Sequence, residues 1–297
     1  MSNVLSLKKD IKERREQVNM LLDRYLPRKD DYPKEIHKAI RHTLFAGGKR
    51  LRPYLVILTY QLYRRKVTED IIRASAAIEL LHTYTLIHDD LPEIDNDNYR
   101  RGKKTCHIVF GSDIALLAGD ALLVEAFNFV NQIEIRPEIK IKMLHDMAVL
   151  SGDKGLIAGQ MQDILSNEKD ISKQTLDFIH LNKTAKLIQL STRFGAYMAE
   201  VPYSELVKVD EFGKLLGLAF QIIDDILDVE GNPKTLGKSV GKDSSEKKST
   251  YPSVLGLDKS KELAETYTNK ALTILDSFGE RATILRELTT ELLLRKY

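Results

Sequence analysis

Cysteine is almost absent: the chain of 297 residues has one, Cys106. A lone cysteine excludes an internal disulfide framework and is compatible with a reducing cytosol. Long apolar runs are missing too; none reaches the roughly 18 residues of a membrane span. Neither sign of charge is in excess, since 45 Lys and Arg stand against 43 Asp and Glu, a formal net charge of +2. That balance argues against a dedicated nucleic-acid binder. The opening MSNVLSLKKDIKERREQ is charged where a secretion signal needs an apolar stretch. There is no internal repeat, no low-complexity segment and no DxDxDG calcium loop. The expectation is a cytoplasmic protein without membrane insertion and without a nucleic-acid partner. Apolar residues make up 43% of the chain, enough for a substantial core. The length allows one large domain or two smaller ones.

What is present reads almost wholly as helix. Leu7, Ile11, Val18, Leu21 and Tyr25 recur at helical spacing over residues 3–26, and Pro27 closes that helix. Pro33 opens the next, which runs to Phe45 and breaks at Gly47-Gly48. Further helices are predicted over 53–65, 68–91, 112–131, 137–150, 204–229, 258–277 and 281–296. Another runs from an N-cap at Ser172 to Met198. Residues 112–131 are apolar on nearly every side and are predicted to be central; Asp120 within them is given a structural role at most. Gly152, Gly155 and Gly159 permit close packing or a kink. No run reads clearly as strand. The fold class is all-α: a helical bundle around a deep cavity, one domain over residues 1–297.

The chain is organised around His82 to Lys103, HTYTLIHDDLPEIDNDNYRRGK. His82, Thr85 and Asp89 are spaced three and four apart and share a helical stripe. Pro92 loosens or ends that helix, which frees Asp95 to turn towards the point that Asp89 and Asp90 face. For this stretch alone a solvated acidic loop is the plain alternative. A second cluster, Asp224, Asp225 and Asp228, lies in LLGLAFQIIDDILDVEG. Gln221, Asp225 and Asp228 share one face of a largely apolar helix, with Asp224 on the flank. Buried carboxylates without partners cost several kcal/mol each, so a purely structural role is a poor account of them.

Two oxygen-only clusters suit Mg²⁺, which takes one or two protein carboxylates per ion and shares the rest of its shell with phosphate oxygens. The basic groups point the same way. GGKRLRP supplies Lys49, Arg50 and Arg52, and DNYRRGK supplies Arg100, Arg101 and Lys103. Gly47 and Gly48 let backbone N–H groups approach an anion. Lys183 and Thr184 fall within the 172–198 helix, and Gln160 and Asp163 in GQMQD just before it. Lys234, Lys238, Lys242, Lys247 and Lys248 dot a Gly- and Ser-rich stretch from Gly231 to Pro252 without periodic pattern, where mobile point charges suit a bound diphosphate.

GGKRLRP, LIHDDLPEIDNDNYRRG, GDALL, GQMQD, KTAKL, FQIIDDILD, LGKSVGKD and STYPSVLG follow one another over most of the chain. Together they closely resemble the bacterial trans-isoprenyl diphosphate synthases. The resemblance implies that Lys49, Arg52, His82 and Arg101, with Gly48, bind the diphosphate of isopentenyl diphosphate. It implies that Arg100, Lys183 and Lys238 serve the allylic diphosphate, that Gln221 is a catalytic, substrate-binding residue, and that oxygens near Thr184 face the developing carbocation. Asp89, Asp95 and Asp224 would hold Mg²⁺, three ions per site, with Asp90, Asp225 and Asp228 behind them. The chain departs from the family's Lys-Thr-Gly in having Ala185, which puts the local helix geometry and Thr184 in question. The family also forms homodimers through central helices.

The same resemblance implies a mechanism and a product. An allylic diphosphate ionises, the double bond of isopentenyl diphosphate attacks C1, and the departing diphosphate takes the proton. In these bacterial enzymes an aromatic five residues before the first acid, with a Leu-Pro insertion in the acidic motif, accompanies a C15 product. Here Tyr84 stands at that position, with the small Thr85 beside it. Farnesyl diphosphate is therefore the expected product and geranylgeranyl diphosphate the runner-up. For Tyr84 the plain alternative is a core aromatic whose hydroxyl finds a local partner. A catalytically silent subunit of a heteromeric synthase is the non-enzyme alternative, although this chain keeps both acidic motifs. A class I terpene cyclase would carry an Asn/Asp, Ser/Thr, Glu pattern where this chain has DDILD.

Overall fold

Short polar caps and prolines set where the helices begin. The computed structural model describes residues 2–230 and 249–293. Helix α1 (Ser2–Tyr25) stops before Pro27, and α2 (Lys34–Leu44) follows Pro33. After α3 (Leu51–Gln61) comes α4 (Glu69–Asp89). The Thr68 hydroxyl accepts a hydrogen bond from the Ile71 amide at the head of α4, and Glu69 and Asp70 fill a first turn that favours negative charge. Strands β1 (Tyr99–Arg100) and β2 (Lys103–Lys104) pair antiparallel as a small hairpin. Helices α5 (Cys106–Phe110), α6 (Ser112–Asn131), α7 (Pro137–Ser151) and α8 (Leu156–Ser166) follow. Helix α9 (Lys173–Ile179) is capped by Ser172 and passes through a π-helical segment, His180–Ala185, into α10 (Lys186–Met198). The described chain ends with α11 (Tyr203–Glu230), α12 (Tyr251–Leu255), α13 (Leu257–Asp276), a 3₁₀ turn at Gly279–Ala282 and α14 (Thr283–Leu293).

The all-α expectation holds. Three details of the sequence reading do not. The hairpin at 99–104 was not expected as strand, the 172–198 helix carries a π-helical segment, and Tyr251 and Pro252 belong to a short helix rather than to the patternless stretch. No described helix is long and apolar enough to cross a membrane.

The helices fall into two compact units, residues 1–60 with 66–144, and residues 61–65 with 145–297. In the first, α4 packs along α6 and α1, and its residues Ile71 to Leu81 are all buried. Cys106 is buried there, and burial pushes its thiol up to about 11, so it stays a packed thiol at neutral pH. In the second, α11 packs against α10, α13 and the π-helical segment.

Helix α6 is not central in its unit. Its small residues Ala115, Ala118, Gly119 and Ala126, with Leu122 and Phe129, form one buried stripe, while Leu117 (57% exposed) and Val124 (69% exposed) face outward. A sequence apolar on every side cannot say which face the chain itself covers; here the small residues do so, because they allow α4 to come close.

Candidate active site

In the first unit the acidic motif closes on itself. Helix α4 ends at Asp89, and Asp90 is its C-cap. The chain then curls back so that the Asp95 amide donates to the Asp89 carbonyl at 2.9 Å, and the Asn96 amide to the Leu91 carbonyl at 3.0 Å. Asp89 and Asp95 are thereby tied through the backbone; among the described residues no three acidic, histidine or cysteine side chains gather into a group that could hold a metal ion. Asp90, 1% exposed, accepts from Arg100 Nε at 2.7 Å and lies 2.6 Å from Arg100 Nη2. Burial raises the Asp90 pKa and the guanidinium opposes it. Asp90 therefore braces the motif through Arg100.

The hairpin turn explains how adjacent arginines serve different places. Arg101 and Gly102 both take positive φ, +55° and +74°, the backbone signature of a tight two-residue hairpin turn. Arg100 reaches Asp90 and, at 3.5 Å, Asp97, while Arg101 Nη1 donates to the Gly47 carbonyl at 2.6 Å. Gly48, at φ +120°, is needed twice over: a Cβ there would meet Arg101 Nη1 at 2.6 Å and Cζ at 2.7 Å. Arg52 Nη1 lies 3.3 Å from His82 Nε2. Burial drives the His82 pKa well below its ordinary value, and Arg52, Arg101, Arg100 and Arg50 push it further down. Burial likewise lowers the Arg101 pKa, with Arg50 and Arg100 among the charges acting on it. Lys49 is exposed between the Gly pair and α3.

Arg50 stands apart from Lys49 and Arg52 in GGKRLRP, the two residues of that run to which the sequence reading gave a binding role. Its φ of +51° turns the side chain inward, where Nη1 donates to Glu79 Oε1 at 2.7 Å, both side chains 2% exposed. Nε reaches Asn19 at 3.0 Å, and Nη2 meets the Leu44 carbonyl. Removing one partner of such a buried pair strands the other charge, so Arg50 serves the fold.

Tyr84 is buried on α4 and its ring stands edge-on to His88, 5.7 Å between centroids at 81°. Among the described residues its hydroxyl has no hydrogen-bond partner; burial, with the Asp89 charge, pushes its pKa up to about 12. The local partner that the plain alternative calls for is not among them. Thr85 is buried and donates from its hydroxyl to the His82 carbonyl at 2.8 Å.

In the second unit one polar chain links the predicted residues. Thr184 Oγ1 donates to Gln221 Oε1 at 2.8 Å, Gln221 Nε2 donates to Asp225 Oδ1 at 2.9 Å, and the Tyr251 amide donates to Asp225 Oδ2 at 3.0 Å. Lys183 Nζ pairs with Asp163 Oδ2 at 2.6 Å. Asp163, Lys183, Thr184, Gln221 and Asp225 line a polar pocket of about 130 Å³ with His180, Ser249 and Thr250. Asp225 and Asp228 are buried and Asp224 is half-buried on the same helix. Ala185, the departure from the family's Lys-Thr-Gly, ends the π-helical segment and packs on Gly217 of α11, where an added Cβ would meet the Ala185 Cβ at 2.7 Å. His180 and Tyr251 carried no role in the sequence reading. Tyr251 donates its hydroxyl to Asp177 at 2.7 Å and stacks edge-on to His180 at 4.9 Å. Its place in STYPSVLG was the one available signal. Lys234, Lys238, Lys242, Lys247 and Lys248 lie outside the described residues.

The sequence model of the polyprenyl synthetase family matches residues 33–280, which takes in every acidic and basic residue placed above. The chain belongs to the polyprenyl synthetase family. A polyprenyl synthetase is a prenyltransferase, and the relatives of this one agree. The farnesyl diphosphate synthase of Geobacillus stearothermophilus is 41% identical over 261 residues, 87% of each chain. The chloroplastic geranylgeranyl pyrophosphate synthase of Capsicum annuum is 40% identical over 274 residues, 91% of this chain and 73% of that one. Among solved structures, the Helicobacter pylori geranyltransferase complexed with magnesium and isoprenyl diphosphate superposes with a TM-score of 0.82 at 29% identity, over 96% of this chain and 95% of that one. Synthetases of both product lengths thus stand at nearly equal distance from this one.

Proposed function

We propose that this synthetase condenses isopentenyl diphosphate head-to-tail with dimethylallyl and then geranyl diphosphate, and that farnesyl diphosphate is its main product. The observation that carries the diphosphate chemistry is the setting of His82, an imidazole kept neutral among Arg52, Arg101, Arg100 and Arg50. Positive charge crowded about a neutral ring is an arrangement that a polyanion relieves. Lys49, Arg52, His82 and Arg101, with the Gly48 backbone, hold the diphosphate of isopentenyl diphosphate. Arg100, Lys183, Gln221 and Lys238 serve the allylic diphosphate, Lys183 exchanging Asp163 for it.

The oxygen-only donors Asp89, Asp95 and Asp224 fit Mg²⁺, three ions per site, with Asp90, Asp225 and Asp228 behind them. Mg²⁺ held by these residues would supply charge neutralisation to the leaving diphosphate. The H. pylori relative, complexed with magnesium and isoprenyl diphosphate, supports that choice of ion and ligand. Asp90 and Asp225 keep the backbone of each motif still by their bonds to Arg100 and to Tyr251 and Gln221. Thr184, held by Gln221, offers its oxygen towards the carbocation. The catalytic domain spans residues 1–297, and the protein works as a homodimer in the cytoplasm.

Product length rests on Tyr84. The growing tail runs from the acidic motif along α4 into apolar surroundings, and the buried ring one turn before Asp89 is its floor, with Thr85 leaving room beside it. The pure protein with Mg²⁺, isopentenyl and dimethylallyl diphosphates should release diphosphate and give mostly C15 alcohols on chromatography after dephosphorylation. Mostly C20 product would overturn the farnesyl reading in favour of a geranylgeranyl diphosphate synthase. No diphosphate release would point to the silent-subunit alternative. Tyr84→Ala should move the product towards C20 or longer; a variant that still stops at C15 removes Tyr84 as the floor.

A further inference from the structure

We infer that His88 is a positioning residue for product length: seated in the space that Gly119 leaves in α6, it holds the Tyr84 ring in place. The inference rests on the reading of Tyr84 as the floor. His88 sits one turn after Tyr84 and directly before Asp89. It faces α6 rather than solvent, with 22% of its side chain exposed. Its Nε2 lies 3.1 Å from the Leu116 carbonyl. A carbonyl can only accept, so Nε2 is the donor in that contact. Asp120 Oδ1 is 3.7 Å from the same nitrogen. A Cβ on Gly119 would fall inside contact distance of Nε2 and Cδ2 and 3.1 Å from Cε1. The imidazole therefore fills the volume of the missing side chain, and α6 needs glycine there to admit it.

This seat matters because the same ring packs against Tyr84. The two rings meet edge-on at 5.7 Å and 81°. The Tyr84 hydroxyl has no hydrogen-bond partner among the described residues to fix it. The ring contact with His88 is then one of the packing contacts that hold the buried Tyr84 ring, and an edge-on pair contributes about 0.5–1.5 kcal/mol beyond its buried area. A floor that gave way would let a longer chain in. His88, clamped to α6 by one hydrogen bond and by shape, keeps it from turning.

The experiment compares product length in wild type, Tyr84→Ala, His88→Ala, Gly119→Ala and Tyr84→Ala/His88→Ala. Each variant is first checked for a cooperative thermal melt. Gly119→Ala evicts the imidazole without altering it, so it is the second route to the same effect if His88→Ala does not fold. The expected result is a rise of at least about tenfold in the C20 to C15 ratio for His88→Ala and Gly119→Ala. The double variant should give products no longer than Tyr84→Ala alone, because His88 acts only through Tyr84. A purely structural role would lower the melting point and the rate while the product stayed C15. If Tyr84→Ala lengthens the product and His88→Ala and Gly119→Ala do not, the positioning role falls and the floor stands. If the double variant gives longer products than Tyr84→Ala, His88 acts by another route and the inference is overturned. If Tyr84→Ala itself stays at C15, the floor falls and takes this inference with it.

Discussion

One acid of each adjacent pair is braced by the protein itself. Asp90 is held by Arg100, and Asp225 by Gln221 and the Tyr251 amide. Such bracing fixes the backbone that presents Asp89 and Asp224, which is what the proposed ion-binding role of those two carboxylates requires. Asp89→Ala or Asp224→Ala should cut turnover by at least about a thousandfold, several kcal/mol of barrier. The melting temperature should hold, since removing one crowded acid relieves repulsion. Near-normal turnover in either variant would sink the metal assignment. His82 gives a second prediction at this scale. Its folded pKa lies well below the ordinary value of about 6.5. Below that pH the unfolded chain takes up a proton that the folded chain refuses, so this contribution to stability is present above about pH 6.5 and is lost as the pH falls. Between pH 7.5 and 5.5 the melting temperature of the wild type should therefore drop more than that of His82→Gln. Parallel curves would show that His82 is not held neutral. Little of this detail was legible in the sequence. Arg50 sits in the same basic run as Lys49 and Arg52, and only its positive φ sends it inward to Glu79. No pattern of residue types records that turn.

At the scale of elements, local rules were legible and tertiary ones were not. Pro33, Ser172 and the apolar periodicity of α4 and α11 act within a few residues of themselves, so the helices they mark appear where expected. The hairpin was missed because Arg101-Gly102 is not the Asn-Gly or Asp-Gly pair that usually signals such a turn. The π-helical segment His180–Ala185 was missed for a different reason: what faces it lies on other helices. Gly159 of α8 comes so close that a Cβ would meet the Asn182 carbonyl carbon and the Lys183 Cα at 2.8 Å. Since both contacts are backbone, the segment cannot swing aside as a side chain would. The expectation that Gly159 permits close packing is thus met, with Lys183 as the residue it seats. A π-turn widens the helix at one place, and here that place presents Lys183 to Asp163 and Thr184 to Gln221. Gly159→Ala should cost about 1–3 kcal/mol by overpacking, seen as a melting point several degrees lower. It should also raise the KM for the allylic substrate, because Lys183 is displaced. A variant that melts and binds like wild type would mean that α8 does not seat Lys183.

At the scale of the whole molecule, each compact unit carries an apolar stripe that its own helices leave uncovered. In the first unit Leu116, Leu117 and Val124 face outward from α6. In the second, Ile157, Met161, Ile164 and Leu165 recur on α8 at the spacing of one helical face, and Phe178 is exposed on α9. Single exposed apolar residues need no explanation, but stripes at helical spacing mark surfaces that another molecule covers. The two readings of α6 meet here. The sequence called it too apolar to face water, and within one chain it nevertheless does. A second copy removes the contradiction, because a two-fold contact uses the same stripe on both partners and closes without leaving an open edge. The expected species is therefore a homodimer of about twice the chain mass of 33.8 kDa, measured by light scattering at micromolar concentration. Val124→Glu together with Leu117→Glu places charges where the contact would be driest, so it should shift the protein to monomer while leaving the stripe that packs on α4 untouched. A wild type that scatters as a monomer, or a double variant that stays dimeric, would place the covered surface elsewhere.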